Sequence, residues 1–284
     1  MCGRYVIVTK IKKIQKVFDV NVFNPNLYVP NYNVSHGNIV PIITQERPSQ
    51  LDFYQFGFTP HWSKKQHYQI NARSEGDRNK DDDPLYKGRR AIFDKPMFRE
   101  SIRAKRCLVP VDCFIEGPKK EKLNKPYVVY VKDQRPFTLA GIYDEWVNQE
   151  TGETIHSFAV ITTGPNQLLN RIGHHRSPVI IPKEARGQWL DDDASTAAIS
   201  ELMLPYSSAE MNAYPISSEI KHPAANGAQL IEPIGQRIFA EYDLKVTKTV
   251  GLQGMGRSAD EIRKRMEEDR KHSPDEGEQL TFFD

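Results

Sequence analysis

The second residue is a cysteine, in the run Met-Cys-Gly-Arg-Tyr. A small second residue lets methionine aminopeptidase remove Met1, which would leave Cys2 with a free α-amine beside its thiol. That pair can do what an internal cysteine cannot. The amine condenses with an aldehyde to an imine, and the sulfur then closes on the imine carbon to give a five-membered thiazolidine. An α-amine titrates at about 7.7–8.0 and a lysine at about 10.4, so near neutral pH its free-base fraction is larger by roughly a few hundred-fold. Taken alone, Cys2 is more readily read as a small residue after a start codon.

Three further segments carry chemistry. Asn71-Ala-Arg-Ser-Glu75 puts an amide, a guanidinium and a carboxylate within five residues, just after the turn-rich run F-G-F-T-P-H-W. Arg106-Cys-Leu-Val-Pro-Val-Asp-Cys-Phe-Ile-Glu116 reads as one buried strand ending on a carboxylate. His174-His-Arg-Ser-Pro178 sets an imidazole and a guanidinium before another apolar run. Each also has a plain structural reading, as a salt bridge, a strand-end charge or a loop histidine.

These residues need a frame. Residues 9–19 predict a helix with Ile11, Ile14, Val17 and Phe18 on one face and Thr9 as its cap. Strands are expected in NIVPIIT, LDFYQFGF, RCLVPV, YVVYVK, FTLAGIY, HSFAVITT and SPVII, with short helices near 165–172 and 184–203. Residues 76–90, GDRNKDDDPLYKGRR, read as an exposed polar loop. The expected class is α+β: a mixed, mainly antiparallel sheet closing on itself, with helices outside.

Of 284 residues, 38% are hydrophobic and 27% charged, the balance of a globular protein with a substantial core. No apolar run nears the roughly 20 residues that cross a bilayer, and the N-terminus lacks a secretory pattern, so a cytoplasmic location is expected. Three cysteines, Cys2, Cys107 and Cys113, make no disulfide framework, and neither their spacing nor His174-His175 suggests a metal site; no metal or cofactor is expected. A net charge of +2 leaves nucleic-acid binding to local clusters of Arg and Lys.

In order, M-C-G-R-Y, Y-N-V-S, F-G-F-T-P-H-W, N-A-R-S-E, F-R-E-S, R-C-L-V-P-V-D-C-F-I-E and H-H-R-S-P resemble the SRAP family, the SOS-response-associated peptidases. The resemblance runs from Cys2 to about Gly235. It implies the SRAP fold, with a barrel-like core and a basic groove leading to Cys2. It also implies a role in the DNA damage response: covalent capture of abasic sites in single-stranded DNA, with peptidase or lyase chemistry at the same site. By that resemblance Cys2 is the crosslinking nucleophile, Asn71 holds the amine and opened sugar, Glu116 shuttles protons, and His174 is a general acid or base. Arg4, Arg73, Arg99 and Arg176 are the expected phosphate-gripping set, and Trp62 the residue on which an unpaired base stacks. The chain departs from the family pattern at His36, where many members carry proline, at Phe56 for tryptophan, at Gly117 for an aromatic residue, and at Ser177 for methionine.

Residues 2–240 are expected as one domain and 241–284 as a charged tail, with one helix at 258–270 capped by Ser258. Gln279-Leu-Thr-Phe-Phe-Asp284 resembles the short peptide by which bacterial repair proteins dock on the replicative sliding clamp. Leu280, Phe282 and Phe283 would fill an apolar pocket, with Gln279 fixing the register. This places the protein at replication forks on the nucleoid. Two other readings stay open: an N-terminal-nucleophile amidohydrolase, and a non-catalytic, clamp-tethered binder of single-stranded DNA.

Overall fold

Runs of β-branched and aromatic residues, broken by Gly, Pro and Asn turns, make strands the dominant element. The computed structural model describes residues 3–241 except 84, 87, 134 and 135. Cys2, the helix expected at 258–270 with Ser258, and Gln279, Leu280, Phe282 and Phe283 lie outside the described residues. Among the described residues no helix is long and apolar enough to cross a membrane.

The elements belong to one unit, Met1–Ala240. Its strands are β1 (Tyr5–Ile7), β2 (Asn31–Val34), β3 (Ile39–Thr44), β4 (Asp52–Phe56), β5 (Asn71–Arg73), β6 (Arg106–Val111) and β7 (Cys113–Glu116). They continue as β8 (Tyr127–Val131), β9 (Phe137–Val147), β10 (Thr154–Thr163), β11 (Ser177–Pro178), β12 (Ile180–Ile181) and β13 (Met211–Pro215). The helices are short: α1 (Ile11–Phe18), α2 (Ser101–Ala104), α3 (Gln167–Arg171), α4 (Arg186–Leu190) and α5 (Thr196–Glu201).

Two sheets result. In the larger one β10 pairs with β4, β4 with β3, β3 with β6, β6 with β9, and β9 with β10 again, so the ring closes. The β4–β10 pairing is parallel and the others in the ring are antiparallel. This is the mixed, mainly antiparallel, closed core that the sequence predicts. Closure removes the exposed edges that an open sheet would leave. Inside, Phe56 stacks on Phe158 at 5.2 Å between ring centres. Gly141 sits mid-β9 because a Cβ there would lie 2.7 Å from the Cys107 sulfur and 3.0 Å from the Ala159 carbonyl. The second sheet runs β13-β8-β7-β1-β2, and Tyr5 from β1 meets Phe56 edge-on at 5.6 Å, joining it to the barrel core.

Three local expectations are corrected. Residues 106–116 form two strands in different sheets, not one, and the break is Asp112. Its buried carboxylate accepts the Val8 and Thr9 amides at 2.6 and 2.8 Å, which fixes the chain where it changes sheets. Thr9 donates its hydroxyl to the same carboxylate, so it does not cap α1; Lys10 holds the cap position without a side-chain bond. The 76–90 loop is not wholly exposed, since Asn79 and Asp82 are buried against the body of the protein.

Candidate active site

β1 lies antiparallel to β7 with Tyr5 opposite Phe114 and Val6 opposite Cys113. The Ile115 amide donates to the Arg4 carbonyl at 2.9 Å. Continued by two residues, this register sets Gly3 across from Glu116. Both line one cavity of about 740 Å³. The sheet thus delivers the N-terminal segment to the carboxyl group at the end of β7.

Glu116 and His174 are buried, and their Oε2 and Nε2 atoms lie 3.2 Å apart. The other ring nitrogen, Nδ1, is 2.6 Å from the Gly117 carbonyl, which can only accept, so Nδ1 carries the hydrogen. A neutral imidazole then offers a lone pair at Nε2. Two acceptors 3.2 Å apart require a proton between them, so the carboxyl and the imidazole share one. Burial acts in the same direction: it raises Glu116 from 4.5 to about 7 and lowers His174 from 6.5 to about 3. The resting pair is a carboxylic acid facing a neutral imidazole. Poised near pH 7, such an acid can both give and take a proton.

Gly117 makes this geometry possible. A Cβ there would lie 1.9 Å from the Lys122 carbonyl and 2.9 Å from that of Lys125. The loop after β7 folds in over the space that a side chain would take. It brings Lys119 and Lys122 to the cavity wall, where Lys221 joins them.

Asn71 and Arg73 lie two apart on β5, so their side chains share a face. Arg73 lines the cavity, and Asn71 is 2% exposed with its amide nitrogen 3.0 Å from the Ile70 carbonyl. β5 runs parallel to β10, with Asn71 opposite Val160, and the barrel wall therefore fixes its height. Arg4 lines the cavity too, but its guanidinium donates to Asn33 Oδ1 at 2.6 Å and to the Lys221 carbonyl at 2.9 Å. It ties β1 to β2 and to the Lys221 turn.

Arg176 is 1% exposed. Its guanidinium donates to both oxygens of Glu75, at 2.8 and 3.3 Å, and approaches Asp82 at 3.4 Å. Burial opposes the Glu75 charge, yet Arg176 and Arg90 hold that carboxyl below its ordinary range. Arg176 in this position is a buried counterion for Glu75. Trp62, half exposed, and Arg99, also exposed, are not among the described residues lining the cavity. Their chain neighbours His61 and Glu100 meet at 3.6 Å. Among the described residues no three His, Cys, Asp or Glu side chains converge as a metal site.

Sequence reasoning missed Lys119, Lys122, Lys221 and Asp82. The lysine-rich run 119–125 beside Glu116 was a signal for the first two. Nothing local marks Lys221, which reaches the cavity from 105 residues beyond Glu116. Among the described residues lining the cavity, the one carboxyl group, Glu116, is set among Arg4, Arg73, Lys119, Lys122 and Lys221. Such a wall favours an anionic ligand whose reacting carbon meets a proton shuttle.

Known proteins are similar to this chain in sequence or in fold. Abasic site processing protein YoaM of Bacillus subtilis is 32% identical over 239 residues, covering 82% of this chain and 98% of its own. Abasic site processing protein YedK of Escherichia coli is 25% identical over 241 residues, covering 82% of this chain and all of its own. A crystal structure of a protein from Bacteroides thetaiotaomicron superposes with a TM-score of 0.70 at 28% identity, over 82% of this chain and 100% of that one. The model of the family described as SOS response associated peptidase (SRAP) matches residues 1–223, the stretch that builds both sheets, the one-proton carboxyl–imidazole pair and its basic wall. The chain therefore belongs to the SOS response associated peptidase family.

Proposed function

We propose that this protein processes abasic sites in single-stranded DNA by trapping the sugar aldehyde on Cys2. The observation that carries the reading is that Gly3, the residue after Cys2, lines the same basic cavity as the Glu116–His174 pair. The names of the relatives, abasic site processing proteins, point the same way. An abasic nucleotide has no base to unstack, so its sugar enters a cavity at little cost.

The chemistry follows from the groups present. The protonated Glu116 gives its proton to the ring oxygen as the ring C–O bond breaks, and the anomeric hydroxyl gives its proton to His174 Nε2 as the aldehyde C=O bond forms. The Cys2 amine adds to the carbonyl carbon, and water leaves as the imine forms. The thiol then adds across the C=N bond: sulfur joins carbon, and the proton ends on nitrogen. Asn71 holds the amine and the opened sugar, while His174 Nε2 receives and returns the proton that Glu116 exchanges. Self-processing that exposes Cys2, and lyase-type release from the imine, belong to the same site. We further propose that Gln279, Leu280, Phe282 and Phe283 dock the protein on the bacterial sliding clamp, bringing this chemistry to replication forks.

Purified protein mixed with single-stranded DNA carrying one abasic site should give a band that survives a denaturing gel. Cys2→Ala and retention of Met1 should abolish it, and intact DNA should give none. A band of equal yield from Cys2→Ala protein would refute the assignment. Capture lost while reversible binding stays unchanged would separate a chemical role for Cys2 from mere adhesion.

A further inference from the structure

Beside Arg73 and Lys119 of the cavity wall lies an acidic turn. Residues 81–83 are three consecutive aspartates. Asp81 and Asp83 are exposed, whereas Asp82 is 9% exposed and points inward. Its Oδ1 accepts from Arg73 Nη2 at 2.8 Å, and its Oδ2 lies 4.0 Å from Lys119 Nζ. Both cations line the cavity. The turn hangs on the same Arg73 nitrogen, which also donates to the Asn79 carbonyl at 2.7 Å. Asn79 closes it by exchanging side-chain bonds with the Asp83 backbone at 2.8 and 2.9 Å. Asp82 adopts φ of 57°, a left-handed conformation that is unfavourable for most non-glycine residues.

Asp82 Oδ1 also accepts from Arg176 Nη1 at 3.4 Å, but that guanidinium is held more closely by Glu75, at 2.8 and 3.3 Å. For Arg73 the matter differs: the acidic partner at 2.8 Å is Asp82. A carboxylate reaching from Arg73 toward Lys119 carries a negative charge like that of a strand phosphate. A protein that must find a rare lesion gains nothing from gripping every intact strand. Phosphate contacts carry no information about the missing base.

We propose that Asp82 is a specificity-determining residue, an internal competitor that occupies a phosphodiester seat formed by Arg73 and Lys119. A strand must displace the 79–83 turn to engage that seat. Reversible hold on undamaged DNA is thereby weakened, and discrimination is left to covalent capture. The inference rests on the abasic-site reading for its purpose, but its test does not use the Cys2 reaction.

The test measures equilibrium binding of intact single-stranded DNA by the full chain carrying Cys2→Ala, over a range of salt. Asp82→Asn suits it, because asparagine tolerates the left-handed backbone and keeps Oδ1 while losing the charge. The variant should bind roughly three- to tenfold tighter, the yield of one partly exposed charged contact. Its log–log salt dependence should steepen by about 0.7, one more phosphate engaged on a single strand. In an Arg73→Gln background the gain should vanish, which sets a vacated seat apart from a change in net charge. Hydrogen exchange on the unsubstituted chain gives a second reading: intact DNA should speed exchange at the Asp82 and Asp83 amides, both held by Asn79. Unchanged or weaker binding by Asp82→Asn, a gain that persists without Arg73, or slower exchange in the turn would each overturn the proposal. Tighter binding by Asp82→Asn without any crosslinking by Cys2-bearing protein would sink the capture chemistry alone.

Discussion

At the scale of single residues, the account turns on a proton shared between Glu116 and His174, and that has consequences for stability. Burial raises Glu116 from 4.5 to about 7, so the folded chain keeps a proton that the unfolded chain releases. The stability this contributes is complete below about pH 4.5 and is lost as pH rises to about 7. His174 has the opposite sign: lowered from 6.5 to about 3, it contributes fully above about pH 6.5, and that share is lost as pH falls toward 3. Glu116→Gln removes the first effect, and the glutamine amide can still donate to Nε2. Thermal denaturation of the variant should therefore gain on the wild type between pH 4.5 and 7, then run parallel above it. A variant that loses ground to the wild type across that interval would contradict the shared proton. Crosslinking by Glu116→Gln should slow by roughly ten- to ten-thousand-fold, the usual range for a lost general acid–base group. A rate within about twofold of wild type would remove Glu116 from the mechanism. The residue types at this site are legible in the sequence, because an imidazole, a carboxyl group and an amide have few chemical uses together. Their partners are not: Arg176 answers to Glu75, 101 residues away, and only the fold brings the two into contact.

At the scale of elements, the long strands and short helices follow from apolar runs and their breakers. What local pattern hides is a change of sheet within a run. Residues 106–116 alternate nothing and are buried throughout, so they read as one strand; long-range hydrogen bonds from Val8 and Thr9 to Asp112 make them two. Likewise β1, β2 and β5 have three or four residues each, too few for a periodic signal, and exist because neighbouring strands pair with them. Arg106, buried at the start of β6, shows the same limit. It donates to the Ile102, Arg103, Trp189 and Asp191 carbonyls and so satisfies the ends of α2 and α4, two helices that local sequence leaves uncapped there. The loop after β7 gives the sharpest test at this scale. Gly117→Ala must push the Lys122 carbonyl away from a Cβ at 1.9 Å, and should cost about 1–3 kcal/mol in chemical denaturation, the range for an overpacked site. It should also slow capture, because the carbonyl that orients His174 moves with the loop. Unchanged stability and rate would mean that the loop does not set the site.

At the scale of the whole molecule, a net charge of +2 conceals a strongly basic cavity wall, since acidic residues elsewhere offset it. Composition alone therefore gives no hint of the ligand's charge; the folded arrangement does. The closed barrel and the second sheet put residues from five separate parts of the chain around one cavity: the N-terminal segment, β5, the β7–β8 loop, the His174 turn and the Lys221 turn. The clamp-docking segment is proposed to act independently of this site. Deleting residues 279–284 should abolish binding to the purified sliding clamp and leave crosslinking intact, as read by solution binding and a denaturing gel. Clamp affinity unaltered by the deletion would refute the docking proposal. The central claim, that an amine and its neighbouring sulfur close a ring on the sugar, is tested most directly by peptide mass spectrometry of the DNA adduct after treatment with borohydride. The expected adduct lies on the peptide beginning at Cys2, at the summed masses less one water, and without the two hydrogens that borohydride adds to an open imine. A borohydride-reduced adduct on Lys119, Lys122 or Lys221, with Cys2 unmodified, would contradict it.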